Sequence, residues 1–280
     1  MEILSGVFEG KTTGAPISMI VWNEDRKSKD YTALKEVYRP GHADLAYDLK
    51  WGHRDYRGGG RSSGRETACR VMGGVIAKKL LHKKSKTEVR AYPIQIGPHV
   101  LKGNKITDEV AQYIEKIRSE GDSVGGIVEI RVTNPPVGLG EPCFDKLHAV
   151  LGQALLSIGT VKGFEIGSGF NVADMRGSQN NDEYVVNNEG RIDVQKNYSG
   201  GIQGGISIGS DIVMRIAVKP PSSIAKPQAT LTRKGEKTQI AIEGRHDACI
   251  VLRVLPVAEA MVALILVDYY MKNLRNNIYR

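Results

Sequence analysis

The longest apolar run in the chain, Val257 to Val267, is interrupted by Glu259 and falls far short of the ~20 residues that span a bilayer. The helix that carries it is therefore expected in a water-soluble core. Pro256 stands just ahead of the run, where a first-turn proline is tolerated, and the helix is expected to reach about Lys272. The segments before it alternate between the two regular periods. Ile212, Met214, Ile216 and Val218 alternate as a half-buried strand does, and Val89 to Ile96 and Gly126 to Val132 also read as strands. Thr107 caps a helix through Val110, Ile114 and Ile117 that stops at Gly121.

Ser63-Gly64-Arg65-Glu66 has capping-box spacing and opens a helix with Val71, Val75, Ile76 and Leu80 in register. Its end is basic, with Lys78, Lys79, Lys83 and Lys84 suited to the macrodipole. Phe144, Leu147, Leu151, Leu155 and Ile158 form one helical stripe. Two hairpins are expected: Glu2 to Phe8 with Ile17 to Trp22, turning through Lys11 to Gly14, and Thr230 to Ile242, turning near Lys234-Gly235. Asn23 to Asp30 reads as a surface loop, and Tyr38 to Ser63 as a long irregular stretch of the kind that is usually functional or mobile. No linker or low-complexity segment interrupts this pattern, so residues 1–280 read as one α+β domain with mainly antiparallel pairing.

Charge narrows the partners. Lys and Arg number 39 against 31 Asp and Glu, a net charge of +8, which draws anions but leaves nucleic acid, acidic lipid and phosphorylated metabolites equally open. Aromatic residues make up only 6% of the chain and no stacking pattern or recognition helix is visible, which weakens a nucleic-acid-binding reading. Met1 is followed by Glu2 with no basic or apolar leader. Cys69, Cys143 and Cys249 are odd in number and widely spaced, as in a reducing cytoplasm. A soluble, cytoplasmic protein is expected, with no membrane partner.

Chemistry concentrates in three places. The first runs from Arg39-Pro40-Gly41-His42-Ala43-Asp44 through Lys50, His53, Arg54, Asp55 and Arg57 to Gly58, Gly59, Gly60, Arg61, Ser62 and Ser63. Its tail combines glycines, hydroxyls, guanidinium forks and the free amides of a helix N-terminus, the ingredients of an anion site. A Gly-rich turn with solvated arginines explains the same residues. The second is Gly201 to Gly205 followed by Lys219-Pro220-Pro221-Ser222-Ser223, which can hold a second phosphate at a strand end or be an ordinary polar loop. The third, Gly244-Arg245-His246-Asp247-Ala248-Cys249, is either a base with orienting partners or a surface ion pair. His82, His99 and His148 lack metal-ligand spacing.

Together these clusters closely resemble the chorismate synthase family. Arg39 to Asp44 and Lys50-Trp51-Gly52-His53-Arg54-Asp55-Tyr56-Arg57 through Thr67 look like the central family signature nearly position for position. Gly138 to Pro142 with Phe144 to Leu147, Val161 to Gly167, Arg176 to Asn180, Gly201 to Ser207, Lys219 to Ser223 and Gly244 to Asp247 resemble further family blocks, in order along essentially the whole chain. The resemblance implies a β-α-β sandwich with helices packed between antiparallel sheets, assembled as a homotetramer. It implies a lyase that converts 5-enolpyruvylshikimate 3-phosphate to chorismate and phosphate by anti elimination, using reduced FMN without net redox change.

Carried over by motif, Arg61, Ser62, Ser63, Gly159, Thr160, Gly204, Lys219, Pro220, Pro221, Ser222, Ser223 and Arg245 would contact FMN. Arg57, Arg65 and Arg245 would hold substrate oxyanions. His42 matches the histidine held to protonate or stabilise the anionic reduced flavin, and Asp247 the carboxylate that helps remove a proton at flavin N5. Ala248 and Leu252 stand where the family commonly has Pro, which would loosen the start of the last helix, and Pro221 stands where it has Thr. Met1 to Gly6 resembles an internal stretch of the family. A first segment with a Gly-Glu-Ser-His-Gly motif and an Arg-rich run, tied in some members to NADPH, has no counterpart here. Loss of that acid would lower activity by about two to four orders of magnitude. A catalytically inactive fragment of the same family is the alternative within it, and a basic nucleic-acid-binding protein the alternative outside it.

Overall fold

A computed structural model of the chain describes residues 1–23, 34–57, 60–103, 105–188, 190, 192–242 and 246–276. It opens with strands β1 (Glu2–Ser5), β2 (Val7–Phe8), β3 (Lys11–Thr12) and β4 (Ser18–Ile20). The expected hairpin is present, with β1 on β4 and β2 on β3, both antiparallel. Its tight turn lies at Glu9-Gly10, not at Lys11 to Gly14. Both residues have positive φ, 47° and 73°, and such turns match the right-handed twist of the paired strands. Of the expected surface loop, all but Asn23 falls outside the described residues.

Helices α1 (Asp44–Trp51) and α2 (Thr67–Ser85) follow. The stretch read as irregular thus contains two turns of helix, ended by Gly52 at φ 66°. Ahead of α2 the capping box does not close. The Ser63 hydroxyl accepts from the Arg65 amide at 3.4 Å in a short 3-10 turn, while Glu66 reaches forward to Arg70 at 2.9 Å. Strands β5 (Glu88–Ile96) and β6 (His99–Val100), helix α3 (Asp108–Ser119), strand β7 (Gly126–Thr133), helix α4 (Leu147–Leu156) and strand β8 (Val161–Ile166) come next. Thr107 caps α3 through the Val110 amide as expected. Phe144 lies before α4 and is 93% exposed, so it does not belong to the stripe that buries Leu147, Leu151, Leu155 and Ile158.

The remaining elements are α5 (Gly177–Asn180), β9 (Tyr184–Val186), β10 (Ile192–Val194), β11 (Ile202–Gln203), β12 (Ile206–Ser207), β13 (Ile212–Val218), β14 (Gln228–Leu231), β15 (Lys237–Ile240) and α6 (Val251–Asn276). Strands β14 and β15 pair as the second expected hairpin. Helix α6 starts earlier than read, so Pro256 lies in its second turn. A proline there leaves the Leu252 carbonyl without its helical donor. Apolar burial on both sides of Pro256, at Val254 and Val257, offsets that loss.

One antiparallel sheet in the order β6-β5-β7-β13-β8 carries the core. The alternation of β13 buries Ile212, Met214, Ile216 and Val218 against α4 and α6. Helix α2 packs on α6, α6 packs on β5 and β7 of the large sheet, and α2 also meets β4 of the N-terminal hairpin. The buried face of α2 is Gly74, Ala77 and Leu81, whereas Val75 is exposed. Small residues win that face because α6 passes so close. A Cβ on Gly74 would sit 2.3 Å from the Ala260 Cβ, while one on Gly73 would meet only Leu264 at 3.7 Å.

Gly74→Ala should therefore destabilise the fold by about 1–3 kcal/mol through overpacking. Gly73→Ala should be neutral or stabilising by up to about 1 kcal/mol through helix propensity. Urea midpoints of the two variants check this contrast, and equal midpoints would refute it.

Candidate active site

Four strand ends meet at one edge of the large sheet. The registers Val218↔Gly126, Val218↔Val161 and Ile96↔Gly126 bring together the ends of β13 and β5 and the starts of β7 and β8. The contacts are too close for side chains. A Cβ on Gly125 would lie 2.3 Å from the Val218 carbonyl oxygen, and one on Gly126 2.1 Å from that of Gln95. The Ser123 hydroxyl donates to the Pro221 carbonyl at 2.6 Å, and the Lys219 amide donates to the Thr160 carbonyl at 2.9 Å. Val124 pairs in parallel with Cys249, and its amide donates to Ala248 at 2.7 Å. Gly159-Thr160, Lys219 to Ser223 and the Asp247 segment are thereby fixed around one edge.

His42 is brought to the same edge from a distant part of the chain. Its Nε2 lies 3.0 Å from the Ser223 hydroxyl and its Nδ1 3.0 Å from the Pro40 carbonyl. The Lys219 ammonium donates to the Gly41 carbonyl at 3.0 Å and to Ser222 Oγ at 2.5 Å, and Ser222 donates to Gly41 at 2.9 Å. Gly41 holds φ 69°, and a Cβ there would lie 2.6 Å from Ser222 Oγ. Burial, with the positive charges of Arg39 and Lys219, pushes His42 below its ordinary value despite the Pro40 bond and Asp44. The free imidazole is therefore neutral near pH 7. Burial, with Lys162 nearby, likewise pushes Lys219 down.

Beneath His42 lies a buried charge cluster. Arg39 grips Asp44 with Nε and Nη2, both at 2.8 Å, and its amide adds a third bond at 3.1 Å. Arg54 Nη1 lies 3.1 Å from Asp44, its Nε 3.6 Å from Asp48, and its Nη2 donates to the carbonyls of Leu34, Lys35 and Val37 at 2.9–3.1 Å. Asp48 is also 3.1 Å from Arg233 in the β14–β15 turn. Burial pushes the Asp44 carboxyl up, but the hydrogen bonds and charge of Arg39, together with Arg54, outweigh it and hold it below the usual range. This network ties the His42 loop to the β14–β15 hairpin.

With this arrangement in view, comparisons with known proteins identify the fold and the family. The sequence profile of the family described as chorismate synthase matches residues 1–271. The chain belongs to the chorismate synthase family. It is 49% identical to the chorismate synthase of Christiangramia forsetii over 99% of this chain and 82% of the relative. It is 48% identical to that of Chloroflexus aggregans over 97% and 79%. A crystal structure of chorismate synthase superposes with a TM-score of 0.75 at 28% identity, covering 98% of this chain and 78% of that one. As a chorismate synthase family member the chain is a lyase of aromatic biosynthesis with a small-molecule substrate. These matches lend nothing to the inactive-fragment or nucleic-acid readings.

The family motifs do not all converge. Arg61 and Ser62 lie exposed in the 3-10 turn Gly60–Ser62 that leads toward α2, and Arg70 in the first turn of α2 reaches Ser157 at 2.7 Å, beside Gly159. Ser63 and Arg65 follow in the same lead-in. Arg57 is exposed and paired with Asp55 at 3.0 Å. Asp247 pairs with Arg253 at 2.8 Å. Gly204 sits in the β11–β12 turn, beside Gly205, whose carbonyl caps the start of α4, and that turn abuts the opposite end of β13 through Gly201 and Asp211. Seven residues of β13, roughly 20 Å, separate it from Lys219. Arg245 falls outside the described residues.

Sequence reasoning missed two features. The Ser123 to Gly126 segment carried only a Gly-Gly signal at a strand start, and the roles of Asp48 and Arg233 had none. The start of α6 is not loose despite Ala248, because Ala248 is buried and held by Val124. Burial also pushes the Cys249 thiol up, with Asp247 adding to it, which suits a structural cysteine. A separate cavity of about 380 Å³ on the outer sheet face is lined by Arg131, Lys196, Asp211 and Arg215 among others. Both its arginines are already paired, with Glu129 and Glu165.

Arg54→Met should cost about 3–5 kcal/mol, since it strands buried carboxylates. Asp44 titrates below its unfolded value, so its stabilisation is complete above about pH 4 and is lost as pH falls through the folded value. Urea midpoints between about pH 6 and pH 3 should fall more steeply in the wild type than in Asp44→Asn; parallel curves would remove Asp44 from this role.

Proposed function

We propose that this chain catalyses the anti elimination of phosphate from 5-enolpyruvylshikimate 3-phosphate to give chorismate, with reduced FMN as cofactor, as a cytoplasmic homotetramer. The observation that carries this reading is the convergence of Lys219 to Ser223, Gly159-Thr160 and His42 on one edge of the sheet. The residues present suit a flavin phosphate. Thr160 Oγ1 is buried with no partner among the described residues, nothing but its chain neighbours lies within 4 Å of where a Gly159 Cβ would be, and Lys219 is a partly desolvated cation beside the Ser222 hydroxyl. An unpaired buried hydroxyl costs stability until something bonds to it. Among the described residues, no helix is long and apolar enough to cross a membrane.

In this reading Lys219, Ser222, Ser223, Pro220, Pro221 and Thr160 would hold the flavin, joined by Arg61, Ser62 and Ser63 from the lead-in to α2 and, through the family motif, by Arg245, whereas Gly204 stands too far along β13 to share the Lys219 contact. A reduced flavin held there would lend electron density to the substrate as phosphate leaves and would take up the ring proton. Arg57, Arg65 and Arg245 hold substrate oxyanions, for which Arg57 exchanges its exposed pairing with Asp55. A phosphate and two carboxylates repel one another, and a basic site lowers the cost of gathering them. His42 is neutral in the free protein and takes up a proton when an anion arrives, which stabilises that anion. Asp247, held by Arg253, is a carboxylate placed at the same edge to accept a proton.

An anaerobic assay with chemically reduced FMN and 5-enolpyruvylshikimate 3-phosphate, following chorismate absorbance, tests the reading. Turnover that vanishes without reduced flavin is expected; a phosphate-releasing reaction indifferent to flavin would overturn it. Lys219→Ala should weaken FMN binding at least about tenfold, the size expected for a lost charge-assisted bond, with little change in thermal midpoint. His42 adds a pH signature. Its lowered value rises as the anion binds, so FMN binding should be accompanied by proton uptake at about pH 6.5, measured calorimetrically in buffers of different ionisation heat. The uptake should disappear in His42→Asn.

A further inference from the structure

Both ring nitrogens of His42 are held. The Pro40 carbonyl, 3.0 Å from Nδ1, can only accept, so Nδ1 carries the hydrogen. The neutral ring then has its lone pair at Nε2, and the Ser223 hydroxyl at 3.0 Å donates to it. Ser223 is not there by the accident of a loose loop. Its loop is pinned by Ser123 to Pro221, by Lys219 to Thr160, and by Lys219 and Ser222 to Gly41 next to His42 itself. The charged groups facing the ring are Arg39 and Lys219, opposed by Asp44.

We propose that Ser223 is a positioning residue for His42: its one hydroxyl proton fixes the aim of Nε2 in the free protein and passes to a ligand oxygen when the Lys219–Ser223 loop is occupied. A serine hydroxyl donates once, so a ligand oxygen that takes this bond releases the Nε2 lone pair. Ligand arrival and the freeing of His42 to take up a proton are then one event. No covalent step is involved; a single hydrogen bond changes acceptor. The proposal rests on the flavin-site reading for the identity of the ligand, but not for the His42–Ser223 bond.

The first test is nitrogen NMR of histidine-labelled full chain without ligand. Wild type should show Nδ1 protonated and Nε2 as a hydrogen-bonded acceptor. Ser223→Ala should move Nε2 to the position of a free acceptor, and Ser223→Thr should restore it. Ser223→Cys, similar in volume with a weaker donor, should fall between. An Nε2 signal unchanged across these variants would overturn the proposal.

The second test separates positioning from simple ligand contact. In Ser223→Ala the Nε2 lone pair is free before the ligand arrives, so the proton uptake that accompanies FMN binding at about pH 6.5 should be clearly smaller than in wild type. FMN affinity should stay within about threefold of wild type, because the wild-type hydroxyl gives up one acceptor to gain the other. Weakened FMN binding with unchanged proton uptake would make Ser223 a flavin contact only and overturn the proposal. If wild type neither binds FMN nor turns over, the functional reading fails, while the ring-nitrogen result still decides the role of Ser223.

Discussion

The carbonyl oxygens of Val218 and Gln95 lie about 2 Å from where the Cβ atoms of Gly125 and Gly126 would be, and the geometry of the candidate site depends on that closeness. Steric exclusion acts over tenths of an ångström, so only glycine lets β7 start in the crook between β13 and β5. With β7 seated there, Val124 can pair with Cys249 and Ser123 can reach Pro221. Three loops far apart in sequence are thereby held within a few hydrogen bonds of one another. No single one of them would form a site alone.

A second constraint is electrostatic. Asp44 and Arg54 are each less than 10% exposed, and charges in such surroundings persist only when paired and hydrogen-bonded. Arg54 meets that condition by donating Nη2 to three carbonyls of the 34–37 segment and by pairing its Nη1 charge with Asp44. Because Asp48 also reaches Arg233, the cluster joins the His42 loop to the β14–β15 hairpin. The neighbouring His42 ring is held below its ordinary value first by burial and then by Arg39 and Lys219, against the pull of Asp44, so a further positive charge is unwelcome there until an anion arrives.

Much of the architecture was legible where one period ruled a segment. The alternation Ile212 to Val218, the Thr107 cap and the Lys234-Gly235 turn all appear as read. Readings failed where a local pattern met a tertiary contact. Val75 continued an apolar stripe but faces out, because the nearness of Ala260 selects Gly74 and Ala77 for the buried face. Phe144 matched the α4 spacing, yet it precedes the helix and stays exposed. Ser63 and Glu66 had the letters of a capping box, but Arg70 offers Glu66 a charged partner in place of a backbone amide.

Class and family can be read from the amino-acid order alone, because they depend on composition, period and ordered motifs. That order also marked Lys219 to Ser223 and Arg39 to Asp44 as chemical, since glycine, hydroxyl and cation together suit anions in any setting. Which of these clusters meet follows from the folded chain. His42 faces Ser223, 181 positions away, while Gly204, only 15 positions before Lys219, lies at the opposite end of the same strand. The reason is physical. A β-strand advances about 3.3 Å per residue and carries near neighbours apart, whereas antiparallel register and close glycine contacts bring distant loops to one edge.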